Sequence, residues 1–493
     1  NAYLECPLTT DHAILTDMVK DLEVGIAGDG TAIGDGLGIA IKRIQKIEGE
    51  SKAIILLTDG VHTAGTVNPL QAAQIAARDG QVAVDVIEWM HLRARDSSYE
   101  TVTRFLDRRP NWPQERRIRL RAEEVVILRK DSEVLQFFAT VAPQTPAGVL
   151  RYAEALARTE RSEEANAAVV GAWRNMPMSV SEQERLLEGY GEIVASHHDA
   201  RLDAMLWRGA LENARRMFEL ASDGAVAAAK ARIALRNTSP GVDTLIEAVP
   251  KSHARNGGLQ YDRFVWRLRK GRSEDAKALL IASSKSAERL GRPEAWSNRR
   301  RSMARDEMRN GDAERAYEIA ARHFLTAGSA YADLEWLAGY IALYKLNEPE
   351  TALRHFENHD AAVRSPISKG RAGYWRGRAY EAMGDVAAAD QAYASGAQYQ
   401  TSFYGLLAAE RAGLPFDIER ATAQPTSDWR TSALAEEPLF QAGLLLQASG
   451  ELSLAEMFWT HLADSLDAED GALLAQAAVD VEQPHLAVMV GKR

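Results

Sequence analysis

The chain has 493 residues, too many for one compact core, and implies two to four domains or a repeat array joined to a second piece. Hydrophobic residues make up 46% and charged residues 26%, an ordinary globular balance, and the net charge of −10 argues against a general nucleic-acid binder. A single cysteine, Cys6, excludes an intrachain disulfide framework and any multi-cysteine metal site, and no run reaches the ~18 apolar residues of a membrane-spanning helix.

From the N-terminus, Ala2–Cys6 reads as a short strand and Asp11–Leu22 as a helix, with Leu15, Met18 and Leu22 on one face. A glycine-rich loop, Gly28-Asp-Gly-Thr-Ala-Ile-Gly-Asp-Gly36, leads into a helix through Ile39, Ile41 and Ile44. The apolar run Ala53–Thr58 suits a central strand covered on both faces. Asn68–Arg78 reads as a helix and Val82–Ile87 as one more strand, so the block is α/β in texture. Asn1 is not an initiator methionine and no basic start precedes an apolar run, so no signal peptide is legible. Both ends read as interior cuts of a longer protein.

Beyond residue 88 the pattern is helical, as in Leu150/Ala153/Leu156, Leu334/Leu337/Ile341/Tyr344 and Tyr374/Ala379/Met383. Pro143/Pro146, Ser239-Pro-Gly241, Asn256-Gly-Gly258 and Gln424-Pro425 mark loops. A Gly-x-x-x-x-Ala-x-x-x-apolar spacing recurs at Gly271/Ala276/Leu280, Gly311/Ala316/Ala320, Gly384/Ala389/Tyr393 and Gly450/Ala455/Trp459. A glycine in the left-handed region ends one helix; the alanine lets the next approach closely, and the residue four on fills the gap. Repetition of that unit predicts an α-solenoid of helical hairpins over residues 82–493, mainly α overall, preceded by a small partial α/β block over 1–81.

Cys6-Pro-Leu-Thr-Thr-Asp-His12, the glycine loop 28–36 and Leu56-Leu-Thr-Asp-Gly60 resemble part of a von Willebrand factor A domain. That resemblance implies a Mg²⁺ site at a sheet edge, with Thr31 and Asp59 as two of its oxygen ligands. The family's Asp-x-Ser-x-Ser loop has no counterpart here, so the site is expected to be a relic holding no cofactor. The glycine spacing fits neither a dinucleotide fingerprint nor a P-loop, since no Gly-Lys-Ser/Thr follows.

Three further groups of segments resemble the non-catalytic superhelix of soluble lytic murein transglycosylases. They are Asp85-Val-Ile-Glu-Trp-Met-His-Leu-Arg93 with Phe105-Leu-Asp-Arg-Arg-Pro-Asn-Trp-Pro113; Gly373–Gly384 with Ser402–Ala409; and Leu454-Ala-Glu-Met-Phe-Trp459 with Gln483–Arg493. The resemblance implies a periplasmic protein whose partners are peptidoglycan and other cell-wall proteins. In that family a separate lysozyme-like domain cleaves glycan through one glutamate. Its Gly-Leu-Met-Gln segment is absent, and the lone Glu-Ser, Glu50-Ser51, lies in the α/β block, so no residue is assigned as catalytic. The alternative is a helical-repeat interaction scaffold whose A-type block binds a metal-dependent ligand.

Three residue classes have competing functional and structural explanations. Arg108, Arg109, Arg116, Arg117, Arg119, Arg121 and Arg299-Arg-Arg301 can meet anionic glycan or stem-peptide carboxylates, or form solvated helix faces. Trp112, Trp173, Trp207, Trp266, Trp296, Trp336, Trp375 and Trp459 are expected mainly in hairpin cores. His197-His198 lacks a zinc-binding spacing.

Overall fold

A computed structural model describes residues 33–44, 81–94, 97–418 and 427–491. Among the described residues all regular structure is helical and no strand occurs, as the α-solenoid expectation requires. The expected strands at Ala2–Cys6 and Ala53–Thr58, the helices at Asp11–Leu22 and Asn68–Arg78, and the Gln424-Pro425 loop lie outside the described residues. No described helix is long and apolar enough to cross a membrane. The chain divides into two compact units, one formed by Asn1–Ser162 with Gln424–Arg493 and the other by Glu163–Ala423.

In the first unit the helix expected after the glycine loop begins inside it, at Ile33, so Gly34 and Gly36 are helical, and Ile41 joins the core around Trp89. Val82–Ile87, expected as a strand, is instead part of the helix Gln81–Leu92. Nine of that helix's twelve residues are buried, so it lacks the polar face by which a helix is recognised in sequence. The acidic pair in it requires the helix: Arg108 bridges Asp85 (2.8 Å) and Glu88 (2.6 Å), which stand three apart. On a strand those two side chains would point to opposite faces.

The second unit is a stack of antiparallel hairpins, each packed on its sequence neighbours. All four glycines of the recurring spacing, three in this unit and Gly450 in the first, have positive φ, between 72° and 92°. At each of them the chain closes the helix with two reverse hydrogen bonds, for example Gly384 N–H to Glu381 O and Asp385 N–H to Tyr380 O. The paired Ala276, Ala316, Ala389 and Ala455 are at most 2% exposed, as are Leu280, Ala320, Tyr393 and Trp459.

The structure adds members of the series that a glycine search passes over. Gly209/Ala214/Phe218 has the same spacing and the same left-handed glycine. Asn347/Ala352/Phe356 puts an asparagine (φ 57°) in the glycine's place, with Ala352 and Phe356 fully buried. Asn347 lies 36 residues after Gly311 and 37 before Gly384, so the widest gap in the glycine series is two ordinary repeats. Asparagine tolerates the left-handed region better than other non-glycine residues. Asn347→Ala should therefore cost about 1 kcal/mol in denaturant unfolding, while Asn347→Gly should be neutral or slightly stabilising. Equal losses for both would mean that the asparagine side chain, and not its backbone conformation, is what matters.

Asn256-Gly-Gly258, expected as a loop, begins a helix: Asn256 is the N-cap, its side chain accepting from Leu259 N–H, and Gly257–Arg269 is helical. The glycines allow close packing here, because a Cβ at Gly258 would fall 2.3 Å from the Arg232 guanidinium carbon.

Candidate functional site

Inside the first unit, the family-like segments near residues 85–113 and 454–459 meet, though some 350 positions separate them. Trp89 and Trp112 each pack edge-on against Phe458, with ring centroids 4.8 and 5.1 Å away, and Phe105 lies against Trp112 at 5.7 Å. Trp89 Nε1 donates to Pro113 O (2.7 Å), and His461 Nε2–H donates to Asn111 O (2.8 Å). The first bond holds the 109–114 turn against the helix Gln81–Leu92, and the second holds it against the helix Leu452–Ala463. The turn ends at Gln114, whose positive φ (61°) redirects the chain into the helix Glu115–Val126. That helix begins beside a cleft of about 860 Å³ lined by Arg108, Arg109, Arg116, Trp112, Glu437, His461 and Asp470, among others.

The arginines of this region have different fates. Arg109 Nε donates to Asp85 Oδ2 (2.7 Å), and Arg108 is held by Asp85 and Glu88. Burial disfavours the Arg108 charge, but the two carboxylates outweigh it and raise its pKa. Arg119 pairs with Glu115 one turn earlier (2.7 Å). Arg116 and Arg117 are exposed and make no ion pair among the described residues; Arg116 Nε donates to Gln144 Oε1 (2.7 Å). Arg116 is thus an available cation at the cleft, with the exposed Arg117 next to it in the chain, while Arg108 and Arg109 are structural. The Asp85/Glu88 clamp escaped the sequence reading, although acids three apart followed some twenty residues later by Arg-Arg are its visible trace.

Arg299-Arg-Arg301 in the second unit separates in the same way. Arg299 is exposed and donates to the Tyr261 hydroxyl (3.1 Å), and Arg301 pairs with Asp333. Arg300 is 1% exposed, donating to Ile319 O (2.7 Å) and Ser284 Oγ with no carboxylate nearby; burial lowers its pKa to about 10. Arg201 is similar: it donates to Met176 O (3.0 Å), and burial first, then Arg216, brings its pKa to about 10. In both cases helix-terminal carbonyls, which carry partial negative charge, replace the acid.

The tryptophans mostly follow the core expectation. Trp112, Trp173, Trp296, Trp375 and Trp459 are buried, while Trp207, Trp266 and Trp336 are partly exposed. His198 packs on Trp173 at 5.4 Å, and burial lowers its pKa. Among the described residues no cluster of three or more His, Cys, Asp or Glu can hold a metal ion. Thr31, Asp59 and Glu50 lie outside the described residues.

With this geometry in place, the fold is similar to that of a solved lytic transglycosylase over most of the chain. The structure of lytic transglycosylase Slt from Pseudomonas aeruginosa, in an inactive variant, matches with a TM-score of 0.54 at 17% identity, over 86% of this chain and 68% of that one. The 70 kDa soluble lytic transglycosylase Slt70 from Escherichia coli aligns over 83% of this chain and 66% of its own, at 17% identity and a TM-score of 0.46. The chain thus spans about two thirds of those proteins. An uncharacterized protein of Borreliella burgdorferi is 29% identical over 76 residues, which are 15% of this chain and 22% of that protein. No family profile matches.

Proposed function

We propose that the chain is the superhelical scaffold of a periplasmic, peptidoglycan-directed protein of lytic transglycosylase type, which holds glycan or positions a partner and does not itself cleave. The observation that supports this best is the coincidence of two independent likenesses. The fold of Slt matches across most of the chain, and the sequence segments that resemble the same family form the aromatic joint of Trp89, Trp112 and Phe458. Arg116, exposed at the cleft, and the exposed Arg117 beside it in the chain supply cations for the carboxylates of the cell-wall polymer.

The test is co-sedimentation with purified peptidoglycan sacculi. Binding should weaken as salt rises through the physiological range, where screening already acts within ~8 Å, and should fall in Arg116→Gln/Arg117→Gln. Salt-insensitive binding, or no binding, would overturn the reading. The same preparation should release no 1,6-anhydromuropeptides above background. That reaction requires a carboxylic acid kept protonated beside the glycosidic oxygen. Glu88 and Glu307, by contrast, are engaged by Arg108 and Lys277, and Glu335 is held far below the usual range. Glu123 is pushed up by burial, but its oxygens accept from Gln144 N–H (2.6 Å) and Thr145 N–H (2.8 Å), which fixes the Thr145 N-cap of the helix Pro146–Arg158. Product formation that is lost in Glu123→Gln or Glu50→Gln would identify a catalytic acid and sink the scaffold reading.

The partial von Willebrand A-like block over 1–81 is part of the proposal, with Thr31 and Asp59 too few oxygens to hold Mg²⁺ against its hydration. Millimolar Mg²⁺ should leave the melting temperature unchanged. A rise that disappears in Asp59→Ala would favour the alternative, a metal-dependent interaction scaffold.

A further inference from the structure

The helix Pro293–Asn310 carries Arg301, Arg305 and Arg309 at successive spacings of four, which places them in one stripe. Arg371, from the helix Pro366–Met383, stands in the same electrostatic neighbourhood. Two carboxylates serve these four guanidinium groups. Asp333 pairs with Arg301, and its other oxygen lies 3.7 Å from Arg371 Nη2; Asp306 pairs with Arg309 at 2.8 Å. Arg305, in the middle, has no ion pair and no hydrogen bond among the described residues, yet it is only partly exposed. Burial, then Arg301, lowers its pKa, with Arg309 and Arg371 adding to that and Asp333 opposing it. A guanidinium stays protonated under such conditions, so the positive charge persists without a counter-ion. Beside it, Arg371 lies over the partly exposed ring of Trp336, 5.2 Å from its centroid.

An arginine that served only solubility would extend into water, and one that served only folding would have a partner. Arg305 does neither. Its planar fork, which has no protein acceptor among the described residues, can donate two parallel hydrogen bonds to a planar oxyanion, and Arg301 and Arg371 add to the positive field. We propose that Arg305, flanked by Arg301, Arg371 and the Trp336 ring, is an oxyanion subsite that takes a carboxylate of a short acidic peptide. Resting on the peptidoglycan reading above, that peptide is the stem attached to the glycan. A bound carboxylate would bring the local count from two acids against four arginines to three. It would also relieve a repulsion that the unliganded protein carries.

The experiment uses the full chain and three probes in calorimetric titrations: a soluble disaccharide-peptide with free carboxylates, the same molecule with its carboxylates amidated, and inorganic phosphate. Loss of one charge-assisted pair predicts that Arg305→Gln binds the carboxylated probe about 10- to 100-fold more weakly than the native chain. The amidated probe should bind both proteins equally weakly. In the absence of ligand, Arg305→Gln should melt at the same temperature as the native chain or higher, since it removes a repelled charge. A lower melting temperature would show that the residue is structural and overturn the proposal. So would no binding of the carboxylated probe, unchanged affinity in Arg305→Gln, or phosphate binding as tightly as the peptide. Sacculus binding that persists without any dependence on Arg305 would remove this subsite and leave the scaffold reading standing. Failure to bind sacculi, with the Arg305-dependent peptide affinity intact, would do the reverse.

Discussion

Replacing Glu335 with alanine should lower the unfolding free energy by about 3–5 kcal/mol, because it strips several buried donors of one acceptor. Glu335 is 5% exposed. Its Oε1 accepts from His323 Nε2–H (2.9 Å); its Oε2 accepts from His355 Nδ1–H (2.7 Å) and Asn358 Nδ2–H (3.1 Å). The outer bond fixes the His323 tautomer, and the Glu335 carboxylate itself requires a proton on His355 Nδ1. His323 Nδ1 accepts from Leu325 N–H (2.9 Å), and His355 Nε2 accepts from the Tyr317 hydroxyl (2.9 Å). Phe324, between His323 and Leu325, takes a positive φ of 55°, an uncommon conformation for a bulky residue that aims Leu325 N–H back at the ring.

The same network predicts acid sensitivity. Burial alone would raise the Glu335 pKa, but the hydrogen bonds from His323 and His355 outweigh it and bring the pKa to about 2. A carboxyl whose folded pKa is depressed stabilises the native state above its unfolded pKa, ~4.3, and loses that contribution as pH falls toward the folded value. Up to about 3 kcal/mol of stability should therefore disappear between roughly pH 5 and pH 2. Unfolding midpoints measured across that window should fall less steeply in Glu335→Gln than in the native chain. Parallel curves would show that Glu335 is not the titrating group.

Gly373→Leu is expected to be as damaging, by a different cause. Gly373 and Gly396 bring the helices Pro366–Met383 and Val386–Ala397 together backbone to backbone. A Cβ at Gly373 would lie 2.4 Å from Gly396 Cα and 2.5 Å from its nitrogen. No side chain is present there to rotate away, so the helices must separate and open the core around Trp375 and Tyr393. Overpacking of a well-packed core costs about 1–3 kcal/mol, and with backbone as the obstacle the loss should reach or exceed the upper end. Gly384→Ala is the control: its Cβ would meet nothing within 4 Å, so only the left-handed backbone (φ 79°) is penalised, at about 1 kcal/mol. Near-equal losses in thermal melts of the two variants would contradict this account of the helix contact.

The sequence by itself determined the hairpins of the helical region. A glycine that ends a helix, an alanine five residues on and an apolar residue four further are local requirements of a tight reversal, so they are written contiguously and survive as a spacing. The helix Ile33–Ile44 was legible through its isoleucines, although Gly34 and Gly36 hid where it begins. What the sequence misrepresented were elements whose surroundings are not local. The helix Gln81–Leu92 is buried on nearly every side and so displays no periodicity, and the repeat at Asn347 is hidden because asparagine can adopt a glycine's backbone conformation. Tertiary structure alone decided the fate of the charges. Arg299, Arg300 and Arg301 are adjacent in the chain, but helical geometry sends them to a tyrosine hydroxyl, a buried carbonyl and a carboxylate. Whether an arginine is structural or available depends on which acid a distant helix brings within about 3 Å, and no spacing along the chain records that distance.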